Sequence, residues 1–210
     1  MIPKRRALPL LAAMMLSGCA AITAIGDATT PLQAYELRAP AEIPAVQGRL
    51  QRDLVIETPT TSGALDTDRI MIRPAPFQAA YLPQARWTDA APVMLTTLMV
   101  RGFEDTGGLR YVGRRPLGGT ADYTLISELT DFHVELGDDG ETVTARFRLS
   151  AQLVRGDDMA ILGSRTVQAR TTVPSTDTAE VVAGLDAVTT RALRELTVWA
   201  LGRMGLRVAG

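Results

Sequence analysis

The 210-residue chain carries 22 basic and 23 acidic side chains, a formal charge of −1, and so lacks the dense basic footprint of a nucleic-acid-binding domain. Lys4, Cys19 and His133 are the only lysine, cysteine and histidine, which excludes a Walker A or Schiff-base lysine on the folded domain, zinc sites built on several imidazoles and a disulfide framework. No G-x-S-x-G nucleophile elbow is present, and the length suits one domain whose core is held by packing alone.

In chain order, Lys4, Arg5 and Arg6 precede an apolar run from Ala7 to Leu16, the layout of a secretory signal peptide over residues 1–18. The run is about half of the roughly 20 residues that a membrane span needs. Leu16-Ser17-Gly18-Cys19 resembles a bacterial lipobox. That resemblance implies cleavage between Gly18 and Cys19, a diacylglyceryl group on the Cys19 thiol, and further acylation (palmitate is the usual chain) of the new amino terminus. Two or more chains hold a protein stably on a bilayer, where one holds it only marginally. Ala20, in place of the aspartate that retains enterobacterial lipoproteins in the inner membrane, implies the outer membrane and its periplasmic face. Loss of the leader leaves 19 basic against 23 acidic residues, a charge of −4. Residues 19–33 read as the lipidated terminus and a tether, of which Ala20 to Pro31 reach at most about 40 Å when extended.

A single domain is expected over residues 34–206. Its first strand spans residues 34–38, and residues 39–48, with two prolines, connect it to a second over 52–57. Residues 70–73 and 78–82 are set to pair as a hairpin. Trp87 introduces a helix with Thr88 or Asp89 as N-cap, Pro92 in the first turn and an apolar stripe of Val93, Leu95, Leu98, Met99 and Phe103; Gly107-Gly108 ends it. A short strand follows at 109–112.

Tyr123 to Leu136 reads as a long strand whose apolar register changes between Leu129 and Phe132, which places a β-bulge near Thr130-Asp131. Gly137-Asp138-Asp139-Gly140 turns the chain. Val143, Ala145, Phe147, Leu149, Ala151 and Leu153 then alternate with polar residues, giving one buried and one wet face. Gly156-Asp157-Asp158 leads into a third strand over 161–173. The last helix opens on a capping box, Asp177 with Glu180, and buries Val181, Leu185, Val188, Leu193, Leu196 and Trp199 or Ala200 before ending near Gly202 or Gly205. The order predicts an α+β fold: a mixed, largely antiparallel sheet with two main helices packed on one face.

Several side chains carry competing readings. Trp87 and Tyr81 are either a docking or lipid-contacting patch or core, and Trp87 is expected in the core at the helix entry; Tyr35 is expected to pack. Asp66 and Asp68 are too few oxygens for a six- to eight-ligand calcium site, which favours a cap or Asx turn. Asp138-Asp139 and Asp157-Asp158 read as solvated turn residues. His133, in the polar register with Asp131 and Glu135, is expected to be exposed. Arg146, Arg148 and Arg170 form either a face for an acidic partner or lipid headgroup, or ordinary solubilising charge. No residue is assigned a catalytic, metal or cofactor role.

A lipobox, Tyr35-x-Leu37, Leu65-Asp66-Thr67-Asp68-Arg69-Ile70, Tyr81 and Trp87 before a helix, in that order, resemble the ABC-type transport auxiliary lipoprotein family, of which PqiC is the best-known member. The resemblance implies an outer-membrane lipoprotein serving an MCE-type (mammalian cell entry) lipid transporter. Such a protein docks the periplasmic MCE component, in one or several copies, and performs no bond chemistry. The alternative is an outer-membrane lipoprotein that activates cell-wall synthesis or assists assembly of a secretion pore, since fold alone does not separate these roles.

Overall fold

The computed structural model describes residues 31–40 and 46–208; the expected leader, the Gly18–Cys19 junction and most of the tether lie outside them. The chain divides between Gln33 and Ala34 into two units, and the fold described below is that of the second. The meander that alternation predicts organises it: β8 (Tyr123–Leu136), β9 (Val143–Arg155) and β10 (Ile161–Val173) pair antiparallel along nearly their full lengths. In β9 all six residues expected to face inward are buried. The β8–β9 register slips between Leu129 and Asp131, leaving Thr130 as the extra residue of a bulge. The slip lets Leu125 and Leu129 before it, and Phe132 and Val134 after it, all reach the core.

The other edge of β8 is divided among three strands, all parallel to it. Its start pairs with β3 (Leu50–Ile56), its middle with the two-residue β4 (Thr60–Thr61) and its end with β5 (Arg69–Arg73). β3 also carries β7 (Leu109–Gly113) in parallel, and β5 forms the expected hairpin with β6 (Ala80–Trp87). β1 (Gln33–Tyr35) borders β6, while β2 (Val46–Gln47) and β11 (Arg207–Val208) form a separate ribbon. The sheet is therefore mixed, with its longest pairings antiparallel.

Helices α1 (Ala91–Glu104) and α2 (Thr178–Arg203) touch each other. α1 lies over β3 and β7, and α2 over β8, β9 and β10. The fold is α+β. Leu95, Leu98, Met99 and Phe103 of α1 and Val181, Leu185, Val188, Leu193 and Leu196 of α2 supply the apolar stripes.

The element ends differ from expectation for identifiable reasons. The N-cap of α1 is Ala90, without a side-chain bond, rather than Thr88 or Asp89. β6 continues to Trp87, the Thr88 amide donates to the Tyr35 carbonyl (3.0 Å), and the Ala91 amide donates to the Thr67 carbonyl (3.0 Å). A neighbouring loop thus satisfies a helix-terminal donor that a cap would otherwise serve. Val93 faces solvent and Met94 takes its place in the core. Asp177 does cap α2 in extended conformation but makes no side-chain cap bond, so the capping box is not formed; Glu180 still places negative charge in the first turn. The first strand is shorter than expected, because the Arg38 amide bonds Asp186 Oδ1 of α2 (2.9 Å) instead of a strand.

Candidate functional site

The wet face of β9 and β10 is built from cross-strand pairs. Thr144 stands opposite Thr172, Arg146 opposite Arg170, Arg148 opposite Gln168, and Ser150 opposite Thr166. The last pair shares a hydroxyl–hydroxyl hydrogen bond of 3.0 Å, so most of this face is neutral and the positive charge is confined to one spot. There Arg146, Arg148, Arg170, Gln168 and Asp131 line an open groove of about 370 Å³. Arg146 Nε meets Glu135 Oε1 at 2.5 Å. Among the described residues, Arg148 and Arg170 have no carboxylate within ion-pair distance, although Asp131 is the strand partner of Arg148. The sequence-predicted trio is therefore gathered into one concave patch.

His133 corrects the expectation of exposure: its side chain is 1% exposed. It stands opposite Arg146, and the β5–β8 register puts buried Met71 on its other side. A polar position on a central strand is covered here by the long side chains flanking it. Nδ1 lies 4.0 Å from Asp131 Oδ1 and Nε2 3.5 Å from Glu135 Oε2, and neither nitrogen has a hydrogen-bond partner. Burial pushes the imidazole pKa down, and the Arg73 charge adds to it; Asp131 and Glu135 oppose the shift without reversing it. The ring is neutral at pH 7.

An aromatic layer runs from Phe147, which lines the groove, into the core. Trp87 stacks on Phe132 at 5.4 Å and 23°, and Phe132 meets Phe147 edge-on at 6.1 Å. Trp87 is thus a core residue, as its chemistry predicts. Leu37 is buried, and Tyr35 packs against the core. Tyr81 is partly exposed, with its hydroxyl donating to the Ala64 carbonyl at 3.1 Å and Arg69 over its ring. Asp66 is exposed, and Asp68 pairs weakly with Arg86 at 3.4 Å. Tyr81 and Asp68 thus make contacts across the β5–β6 region, and Trp87 packs in the core at the entry to α1.

A second polar cluster was not legible in the sequence, because it joins residues about 70 apart. Asp122 accepts from Arg52 (2.6 Å) and from the Asp53 amide (2.9 Å), and Asp53 accepts from Arg110 (2.8 Å). Burial works against the Asp122 charge, but Arg52, the Asp53 amide and Arg110 outweigh it and hold the carboxyl below its usual range. Each charge is answered, so the cluster ties β3 to β7 and to the start of β8. Among the described residues no group of three or more His, Cys, Asp or Glu is placed to hold a metal ion, and no helix is long and apolar enough to cross a membrane.

Residues 35–197 match the family described as the ABC-type transport auxiliary lipoprotein component. The uncharacterized protein bll6063 of Bradyrhizobium diazoefficiens is 28% identical over 179 residues, which cover 84% of this chain and 47% of that protein; the chain spans about half the length of this curated relative. Among solved structures, XCC0632 of Xanthomonas campestris superposes with a TM-score of 0.72 at 26% identity, over 82% of this chain and 97% of the other. An uncharacterized protein gives 0.63 at 16% identity, over 80% and 97%, a likeness of fold alone.

Proposed function

The chain belongs to the family of ABC-type transport auxiliary lipoprotein components, and on that premise we propose that it is the lipid-anchored docking subunit of an MCE-type lipid transport system joining inner and outer membranes. Residues 1–18 are the leader, Cys19 carries the acyl chains, residues 19–33 are the tether, and residues 34–206 are the single working domain on the periplasmic face of the outer membrane. The family match across nearly all of that domain carries the reading. The lipobox ending at Cys19 and the absence of lysine after Lys4 agree with a subunit that leaves ATP hydrolysis to its partner. The subunit binds and positions, and does no bond chemistry of its own.

The anchor is tested by labelling cells with radioactive palmitate and separating inner from outer membranes on a density gradient, for the natural chain beside Cys19→Ala. Label in the outer-membrane band for the natural chain alone is the expected result. An unlabelled natural chain, or one recovered with the inner membrane, contradicts the assignment.

A further inference from the structure

We infer that the arginine groove of β9 and β10 is a binding site for the phosphodiester headgroup of an anionic phospholipid. This rests in part on the lipid-anchor reading, which keeps the domain within tether reach of a bilayer. The geometry supplies the rest. Arg146 and Arg170 stand directly opposite each other, an arrangement that costs stability because like charges face one another across the strands. On the same face Thr144–Thr172 and Ser150–Thr166 are neutral pairs, with Arg148–Gln168 between the latter and the arginine pair, so the sheet has a neutral solution available and does not use it here. Arg165, Arg155 and Arg52 are matched to Glu195, Asp158 and Asp122, whereas Arg148 and Arg170, like exposed arginines such as Arg49 and Arg101, have no carboxylate within ion-pair distance among the described residues. Arg148 and Arg170 are left to face the groove.

The size of the patch selects the ligand. Adjacent strands lie about 4.8 Å apart and alternate residues about 6.7 Å apart, so the three arginines stand within an area suited to one phosphate group, with Arg146 held toward Glu135 and all three lining the groove. An acidic protein segment needs cations spread along its length. Guanidinium forks bind phosphate oxygens in pairs and are weakly hydrated, which suits them to this task. Asp131 on the rim works against a dianion. It tolerates a singly charged diester and accepts a hydrogen bond from a headgroup hydroxyl, as in phosphatidylglycerol. The groove is open and about 370 Å³ in volume, which accommodates a headgroup and leaves the acyl chains outside.

The test uses the full-length mature chain freed of its anchor as Cys19→Ser, floated with vesicles of phosphatidylcholine containing about one-third phosphatidylglycerol. Arg148→Gln with Arg170→Gln is expected to weaken binding about tenfold or more, the loss of a charge-assisted phosphate contact. Arg49→Gln with Arg101→Gln removes the same charge from exposed positions elsewhere and is expected to cost less than about threefold, as a screened effect. Unchanged thermal unfolding of both variants shows that the comparison is between folded proteins. Equal losses from the two pairs, or no binding to these vesicles, overturn the inference. So does binding of inorganic phosphate at millimolar concentration that displaces the vesicles completely, because the ligand is then the free ion. Capture of a transporter component in intact envelopes is independent of these outcomes. A failed flotation with that capture retained removes the headgroup site alone, and the reverse removes the docking reading alone.

Discussion

Acidification from pH 7 to pH 5 is expected to destabilise the domain through a single residue. His133 is the only histidine, its side chain is 1% exposed with both ring nitrogens unpartnered, and burial and then Arg73 lower its pKa from the ordinary value of 6.5. The unfolded chain therefore takes up a proton as the pH falls through about 6.5, while the native state resists. The unfolded state binds more protons in that window, so stability is fully present above it and falls as the pH drops. Where the unfolded chain carries the proton and the native ring does not, the slope approaches about 1.4 kcal/mol per pH unit, an upper limit because Asp131 and Glu135 oppose the shift. The three carboxylates held below their usual range act mainly at lower pH than this window. Asp122, Asp139 (held at about 2 by the Thr142 hydroxyl and nearby amides) and Asp158 have lowered values, so the stability they add is lost only below about pH 4. The assay is urea unfolding of the Cys19→Ser chain at pH 7.5, 6.5, 5.5 and 5.0, beside His133→Gln. The natural side chain should show the loss and the glutamine variant a nearly flat profile. A flat profile for both, or an equal slope in both, refutes the reasoning.

Relieving the Arg146–Arg170 opposition gives a gain rather than a loss: Arg170→Thr should raise stability by about 0.2–1 kcal/mol in urea unfolding, and a loss would mean that Arg170 has a stabilising partner. Trp87→Ala removes the ring stacked on Phe132 and should cost about 3–5 kcal/mol, read as the shift in unfolding midpoint; a cost below about 1 kcal/mol contradicts its place in the core. A Cβ at Gly156 would stand 1.9 Å from the Ala121 carbonyl oxygen, a backbone atom that cannot swing aside. Gly156→Ala should therefore cost at least about 1–3 kcal/mol, and a neutral result would show that this turn is free to move. Asp186→Ala strips the Arg38 amide and guanidinium of their acceptor; hydrogen exchange at the Arg38 amide should accelerate at least about tenfold, in line with the loss of roughly 1–3 kcal/mol, and unchanged protection would place that segment's hold elsewhere.

What the sequence discloses follows from what is local. The β8–β9–β10 meander is readable because its pairings join neighbours through glycine-bounded turns, and because six alternating apolar residues in β9 identify the buried face. Even the bulge at Thr130 is visible, since the apolar register changes where the extra residue sits. The parallel pairings of β8 with β3, β4 and β5 leave no such trace. They join segments about 60–70 residues apart, and strands of two residues such as β4 are too short to show a period. Capping failed as a guide at α1 because the Thr67 carbonyl, distant in sequence, does the work of a cap. The arginine patch was visible as alternation on a wet face, but whether its charges are answered depends on Glu135 and Asp131 across the strand. The burial of His133 is hidden for the same reason: alternation names the face a residue points to and says nothing of what covers it.

The docking role itself is tested most directly by crosslinking in intact envelopes. The tagged full-length chain is captured beside its Cys19→Ala variant, and the bound proteins are identified by mass spectrometry. Recovery of an MCE-domain protein by the natural chain, lost with Cys19→Ala, is the predicted result. Recovery of a peptidoglycan synthase or a secretion component in its place contradicts the transport role.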